Sequence, residues 1–377
     1  MRIAKGFFKF GLILIGIIVV IEITLRLTIS YKLQKWGPCQ YQPDTVLGYR
    51  YKANSTGNSY NAAFDRPYKI NSHGFAGAEF TTKKTKGIYR IAVVGASDEA
   101  GLYTDGPLNY INVAEDLLKK NGYKVEILNL AIDGHGRSIR NVEFLKGPCA
   151  EYEPDLILFK NLEFPLEDYR EYRTTYKGIL IKYKDTSQRN LNDAKAYIDN
   201  ELAHKDLRIR LYDYSYIYRW MVKSYLEQYQ KPKSKFWQWC AERLFVNGNK
   251  VECYARHVIF WPKYQYKPTV YSDEASMQVL GDLSEILSRR NTKLLIFTTY
   301  AVDDPQGEKE IFAKYGVNYL PLQVIHKHEY SFGELNGHTS QEGHKAIGYA
   351  LFKALKDSIS QAFIVSPLVS VDESRVR

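Results

Sequence analysis

The sequence predicts an α/β fold in which helices cover both faces of a parallel central sheet. Two features of the sequence lead to this prediction. Short apolar segments alternate with segments whose apolar residues recur at helical spacing, as in βαβ units. The apolar segments also end at glycines or polar residues, as buried parallel strands do at the edge where ligands bind. A chain of 377 residues, 45% of them hydrophobic and 25% charged, can bury such a core.

The central strand is expected within residues 88–102, IYRIAVVGASDEAGL, where the apolar run 91–94 stops at Gly95. Ser97 then lies just past the carboxyl end of a parallel strand, where a nucleophile is well placed. Backbone N–H groups and the positive end of a following helix would favour negative charge there. The alternative is a simple strand–turn–helix corner in which Ser97 caps the helix.

The other elements follow the same alternation of periods. Amphipathic spacing predicts helices and short apolar runs predict strands, with glycine or asparagine at their ends. Residues 54–61 are polar and contain glycine, so we expect a loop there. The predicted elements are a helix over 109–120, a strand over 125–132, a helix over 138–145, a strand over 154–161, a helix over 273–289, strands over 292–300 and 317–322, and a final helix within 334–355.

An apolar segment near the start predicts a membrane anchor. Residues 7–27 match the length of a bilayer crossing and follow a basic start. Glu22 is unusual there, because a carboxylate in hydrocarbon is costly. The alternative is a cleavable signal peptide, but no small-residue cleavage site follows the apolar run. We therefore expect an uncleaved signal anchor, with a cytoplasmic N-terminus and an exported main domain, periplasmic or extracellular.

Composition narrows the class of partner. A net charge of +10 favours acidic polymers or anionic lipid headgroups, and the sequence has no nucleic-acid-binding motif, so no nucleic acid partner is expected. The 31 tyrosines suit either a sugar- or peptide-binding surface or an outer helical layer. In an exported domain Cys240 can pair with Cys253, and Cys39 with Cys149, although four free thiols remain an open alternative.

Two segments before the first strand, PDTVLGYRYKAN (43–54) and INSHGFAGAEF (70–80), resemble the leader of membrane-anchored bacterial SGNH/GDSL hydrolases. The resemblance extends over about residues 48–355. It implies a three-layer α/β/α sandwich and a serine esterase or O-acyltransferase. The implied substrates are O-acyl groups, acetyl above all, on cell-envelope or exported polysaccharide. No cofactor and no metal are implied.

The resemblance also assigns roles to residues. Ser97 corresponds to the nucleophile and His338 to the general base, with Asn336 at the position of the acid that orients the imidazole. The oxyanion would be held by the N–H groups of Ser97 and Gly134 and by the amide of Asn161. Only glycine lets a backbone N–H approach a reacting oxygen without a side chain in the way.

Three departures from the family pattern leave a second function open. Ala96 stands where the family has Asp, Asn161 comes a few residues early, and Asn336 replaces an Asp. An asparagine can orient the imidazole but cannot neutralise the imidazolium, and this loss costs about 10⁴ in rate in a serine enzyme. The alternative is a catalytically inactive relative that binds glycan or assists assembly. The expected partners are an acylated glycan or another ester, and the membrane through the N-terminal helix.

The predicted organisation has five parts. They are a cytoplasmic start and anchor (1–32), a leader that packs on the core (33–87), an α/β domain (88–168 and 268–360), a Tyr-rich helical insertion (169–267) and a C-terminal tail (361–377).

Overall fold

The computed structural model describes residues 2–28, 41–60, 65–136, 138–160, 165–168, 173–176, 179–182, 215–218, 258–260, 269–299, 302–324, 330–331 and 338–362, with single positions between 192 and 220. The chain forms two compact units. One, the α/β unit, comprises Cys39–Thr186 and His257–Arg377, and the other, the α1 unit, comprises Met1–Pro38 and Ser187–Arg256.

The strands are β1 Tyr41–Asp44, β2 Gly48–Tyr51, β3 Thr56–Tyr60, β4 Asp65–Lys69, β5 Tyr89–Val94, β6 Val125–Asn129, β7 Leu156–Lys160, β8 Glu167–Asp168, β9 Arg173–Tyr176, β10 Ile179–Lys182, β11 Val258–Phe260, β12 Thr269–Val270, β13 Lys293–Thr298 and β14 Asn318–Pro321. Within the described ranges, the helices with defined bounds are α1 Arg2–Thr28, α2 Ser97–Ala100, α3 Tyr110–Lys120, α4 Ile139–Lys146, α5 Asp273–Ser288, α6 Pro305–Lys314 and α7 Gln341–Ala362. Short 3-10 turns cover Gly106–Leu108 and Pro148–Tyr152.

The core of the α/β unit is a five-stranded parallel sheet with the order β6-β5-β7-β13-β14. Counted from β5, this is the doubly wound order 2-1-3-4-5, which reverses direction between β5 and β7. All six residues of β5 are buried, as expected for a central strand. The sheet confirms the predicted fold class, and ligands are expected at the carboxyl end of β5, where the order reverses.

Helices cover both faces of this sheet. Ile91 and Val93 of β5 pack with α3 and α7 on one face. Ala92 and Val94 pack on the other face with α4, α5 and the leader strands. Successive residues of β5 belong to different cores because side chains along a strand point alternately to the two faces of the sheet. These two cores make the three layers of the predicted sandwich.

The leader consists of two antiparallel hairpins, β1–β2 and β3–β4, on the α/β unit. The loop predicted over residues 54–61 is therefore wrong, because β3 occupies most of it. Gly57 pairs with Tyr68, and a Cβ at position 57 would lie 2.4 Å from the Tyr68 hydroxyl oxygen. A polar hairpin at the edge of a domain lacks the apolar alternation by which strands are recognised in a sequence.

The insertion is not uniformly helical as predicted. Near its two ends, β9, β10 and β11 form a three-stranded sheet, with β10 antiparallel to β9 and parallel to β11. Between them the described residues include the helical positions 216–218. The sequences RTTY and ILIK are rich in β-branched and aromatic residues, which favour strands over helices.

In the α1 unit, α1 is one continuous apolar helix. Its part Lys9–Thr28 is long and apolar enough to cross a membrane, and none of it is buried. Both an uncleaved anchor and a signal peptide have such a helix, so the membrane topology stays a prediction.

The carboxylate of Glu22 on α1 finds hydrogen-bond donors within the α1 unit. It accepts hydrogen bonds from the N–H groups of Tyr216 (2.8 Å) and Ile217 (3.0 Å) and from the Ser215 hydroxyl (3.0 Å). Arg26, one turn along α1, pairs with the same carboxylate at 2.7 Å. These donors offset the cost of a carboxylate in an apolar helix.

Cys149 is a buried free thiol, and burial raises its pKa to about 12. The predicted bridge from Cys39 to Cys149 is therefore wrong. The position packs as a small apolar residue in the core beside Phe144 and Leu145. The other three cysteines lie outside the described residues.

Candidate active site

The candidate nucleophile stands at the turn from β5 into α2. The N-cap position of α2 is Ala96, and Ser97 is the first helical residue. The alternative in which Ser97 caps the helix is therefore wrong. The Ser97 side chain is half-buried and points instead to the end of the sheet where the strand order reverses.

Gly95 makes room for the side chain that closes this turn. The carboxylate of Glu99 folds back and accepts a 2.8 Å hydrogen bond from the N–H of Ala96. A Cβ at position 95 would lie 2.4 Å from Glu99 Oε2. The turn therefore depends on the missing side chain of Gly95, in addition to any backbone freedom.

Ser97 and His338 meet across a sequence separation of 241 residues. The distance from His338 Nε2 to Ser97 Oγ is 2.8 Å. This is hydrogen-bond distance for a nucleophile and its general base. In the tautomer that accepts the serine proton at Nε2, the imidazole carries its own proton on Nδ1.

Neighbouring residues in the described part of the chain hold His338 from two sides. The Tyr103 ring packs against the imidazole with a centroid distance of 4.1 Å, and the Tyr103 hydroxyl donates to Asp133 Oδ2 at 3.1 Å. On the other side, the N–H of Thr339, next to His338, donates to Asp98 Oδ1 at 3.2 Å. Asp98 follows Ser97 in α2, so this single helical turn carries the nucleophile and also holds the segment of His338.

Lys160, the last residue of β7, neutralises the acids beside Ser97. Its Nζ lies 3.1 Å from Asp98 Oδ2 and 3.0 Å from Glu99 Oε1. Glu99 is fully buried and also accepts from the Tyr110 hydroxyl at 3.0 Å. Burial would raise the pKa of Asp98, but the charge of Lys160, aided by His338 and His344, holds that pKa well below its usual range.

Gly134 follows β6 at the same end of the sheet. Its φ of +78° lies in the left-handed region, which favours glycine. The Ala96 Cβ lies 3.5 Å from the place that a Cβ on Gly136 would take, so this turn packs directly on the nucleophile turn. Asn161 and Asn336, predicted for the oxyanion hole and for orienting the imidazole, lie outside the described residues.

Three solved structures are similar to this chain at low sequence identity. An acylhydrolase candidate from Bacteroides fragilis NCTC 9343 is similar at a TM-score of 0.32 and 10% identity, covering 74% of this chain and 91% of that one. TesA is similar at a TM-score of 0.31 and 11% identity, and the match covers 71% of this chain and 98% of TesA. A GDSL-like lipase from Bacteroides thetaiotaomicron VPI-5482 is similar at a TM-score of 0.30 and 10% identity, and the match covers 74% of this chain and 92% of the lipase. The sheet order and the layers described above define the α/β fold.

No protein-family model matches the chain, and no curated protein matches it either. Within the described ranges, no group of three or more His, Cys, Asp or Glu residues is arranged to hold a metal ion.

Several residues of this site were not predicted from the sequence. Asp98, Lys160 and Tyr103 contact the Ser97–His338 pair or its immediate neighbours. The sequence contains one signal for this cluster, since Lys160 is a lone cation at the end of the apolar run LILFK. A cation at the carboxyl end of a buried strand indicates an acidic partner on a neighbouring loop.

His344 lies behind the site on α7, where it is buried and stacks on Tyr110 at 5.7 Å. Its Nδ1 accepts the N–H of Tyr110 at 3.3 Å, which requires the neutral ring. Burial lowers the pKa of His344 to about 4. These contacts agree with a structural role for His344.

We expect His344 to make the fold less stable as the pH falls. The unfolded chain takes up a proton on this residue below its ordinary pKa of about 6.5, while the folded protein does so only near 4. The free energy of unfolding therefore falls by about 3 kcal/mol between pH 7 and pH 4 because of this residue. Urea unfolding followed by circular dichroism measures the loss. In His344→Gln, which keeps an acceptor but does not titrate, the free energy of unfolding should depend less on pH, and an unchanged dependence would contradict the assignment.

Proposed function

We propose that this protein is a serine esterase or O-acyltransferase. The observation that supports it is the 2.8 Å contact between Ser97 Oγ and His338 Nε2 at the carboxyl end of the central strand. Such a contact joins a hydroxyl to a base able to take its proton. The site lies at the position where doubly wound sheets bind ligands.

In the proposed mechanism, Ser97 attacks an ester carbonyl while His338 takes the hydroxyl proton. The N–H groups of Ser97 and Gly134, with the amide of Asn161, stabilise the oxyanion. Asn336 orients the imidazole in place of the usual carboxylate. His338 then gives its proton to the leaving alcohol, and the acyl group passes from Ser97 to water or to a sugar hydroxyl.

The proposed substrates are O-acyl groups, acetyl above all, of cell-envelope or exported polysaccharide. The apolar helix α1 is suited to hold the protein at a membrane, and the leader segments resemble those of membrane-anchored hydrolases. The 31 tyrosines supply rings of the kind that pack on sugars. Export by way of α1 is part of this proposal.

A second candidate function is glycan binding without turnover. Ala96 and Asn336, each in a position where the resembled family has Asp, favour it, because they remove charges that assist catalysis. The two candidates differ in the reactivity of Ser97. An activated serine reacts with an organophosphorus reagent, whereas an ordinary serine hydroxyl does not.

The proposal is tested by treating the full-length protein in detergent with a fluorophosphonate probe and locating the adduct by mass spectrometry. We expect a single adduct on Ser97, which disappears in Ser97→Ala. Ser284→Ala is the matched control, because this half-buried serine on α5 donates to the Gly316 carbonyl at 2.8 Å, and labelling should persist. A folded protein that stays unlabelled at Ser97 would support glycan binding instead.

A further inference from the structure

We propose that Tyr49, in the leader, positions the oxyanion donor of this site. This inference rests on the proposed function, in which the N–H of Gly134 stabilises the oxyanion. Tyr49 lies on β2, outside the central sheet, and 84 residues before Asp133. It acts through the backbone and does not touch the reacting atoms, so it is a positioning residue.

Two leader tyrosines bind the backbone of Asp133, the residue before Gly134. The Tyr49 hydroxyl donates to the Asp133 carbonyl at 2.8 Å. The Tyr51 hydroxyl accepts the N–H of Asp133 at 2.9 Å. Both side chains are only 1% exposed, so water competes little for these two bonds.

The bond from Tyr49 fixes the direction of the Gly134 N–H. The carbonyl of Asp133 and the N–H of Gly134 belong to the same planar peptide unit, and in a trans peptide they point in opposite directions. Once the carbonyl is held by Tyr49, the N–H must point away from the leader. A donor on the carbonyl also polarises the peptide and strengthens its N–H as a donor.

The hydrogen bond from Tyr49 matters because the turn at Gly134 does not fix its own backbone conformation. Gly134 has a φ of +78°, and glycine adopts either sign of φ with little preference. The Tyr49 ring is fixed by His135 at a centroid distance of 4.5 Å and by Tyr41 at 5.2 Å. A rigid hydroxyl thus restrains a flexible peptide unit, as preorganised oxyanion stabilisation requires.

Tyr51 provides a matched control. It lies on the same strand, is equally buried and binds the same residue as Tyr49. Its partner, however, is the N–H of Asp133, which belongs to the peptide unit between residues 132 and 133. That unit does not contain the N–H of Gly134, so its loss should affect stability more than reactivity.

The first test compares Tyr49→Phe and Tyr51→Phe in the full-length protein in detergent. We expect Tyr49→Phe to slow fluorophosphonate labelling of Ser97, and kcat for p-nitrophenyl acetate, about 10-fold. Complete loss of one oxyanion donor costs about 10² to 10³, and a misdirected donor keeps part of its effect. KM and the pH profile should stay the same. Tyr51→Phe should stay within about two-fold of the wild type, since its bond lies outside the Gly134 peptide unit.

The second test observes the peptide unit itself and does not depend on catalysis. The sequence has two Asp–Gly pairs, Asp105–Gly106 and Asp133–Gly134. With ¹³C-carbonyl aspartate and ¹⁵N-glycine, only these two pairs give signals in a carbonyl–amide correlation spectrum. Tyr49→Phe should move the Asp133–Gly134 signal and leave the Asp105–Gly106 signal in place. Tyr51→Phe should move the Asp133–Gly134 signal less than Tyr49→Phe does.

The two tests separate the two proposals. An unchanged Asp133–Gly134 signal in Tyr49→Phe would overturn the positioning role, whatever the reactivity. A moved signal with an unchanged labelling rate would also overturn it, because Gly134 would then not be a donor to the oxyanion. Absence of labelling in the wild type would overturn the proposed function, and the role of Tyr49 in catalysis would fall with it. The spectrum would still report the hydrogen bond from Tyr49 to Asp133.

Discussion

Replacing His338 by alanine is expected to slow the reaction of Ser97 by about 10⁴-fold. A serine hydroxyl is a weak nucleophile unless a base takes its proton as it attacks. His338 Nε2, 2.8 Å from Ser97 Oγ, is the group placed to do so. The rate constant for fluorophosphonate labelling at Ser97 measures the effect directly, and hydrolysis of p-nitrophenyl acetate gives an independent value.

His73→Ala is the control for this measurement. His73 is also half-buried, but its Nε2 bonds to the Phe80 carbonyl at 2.9 Å and its ring stacks on Phe80 in the leader. We expect labelling of this variant within about two-fold of the wild type, as for a substitution outside the site. If His338→Ala slowed labelling less than about 10-fold, general-base catalysis would contribute little, and another group would have to activate Ser97.

Replacing Lys160 by methionine is expected to destabilise the α/β unit by about 3–5 kcal/mol. Lys160 is the cation shared by Asp98 and Glu99, and the side chains of all three are at least 86% buried. Methionine keeps the length and apolar stem of lysine but leaves two neighbouring carboxylates without their counter-charge. Removing one partner from a buried ionic cluster costs far more than the intact cluster contributes. Urea unfolding at pH 7 measures the loss.

The pH dependence gives this prediction a distinct signature. Without Lys160, burial and mutual repulsion raise the pKa of Asp98 above its low wild-type level. Protonation then relieves the cluster, so the difference in stability between variant and wild type should shrink as the pH falls through this raised pKa. Lys345→Met, which removes an exposed pair with Glu342 on α7, should change stability by less than about 0.5 kcal/mol. A Lys160 variant as stable as this control would show that the cluster is unimportant.

Most of the central fold was predictable from the sequence, because its elements are encoded locally. The strand at β5 shows as a continuous apolar run, and α3, α5 and α7 show as apolar residues at helical spacing. The predicted ends differ from the observed ones by a few residues in most elements. Ser97 was identified by the same local logic, since a polar residue just past a buried strand faces the ligand-binding edge. The leader hairpin β3–β4 was missed because its polar strands lack a periodic apolar pattern.

Contacts between distant segments were decided by the tertiary structure alone. Ser97 and His338 are 241 residues apart, and no period within either segment specifies their distance. The same holds for Lys160 with Asp98, 62 residues apart, and for Tyr49 with Asp133, 84 apart. Hydrophobic periodicity determines which face of an element is buried, and thus the layers of the fold. Which polar side chains meet at the sheet edge depends on where each strand lies in the order β6-β5-β7-β13-β14, and that order is fixed only when the whole sheet assembles.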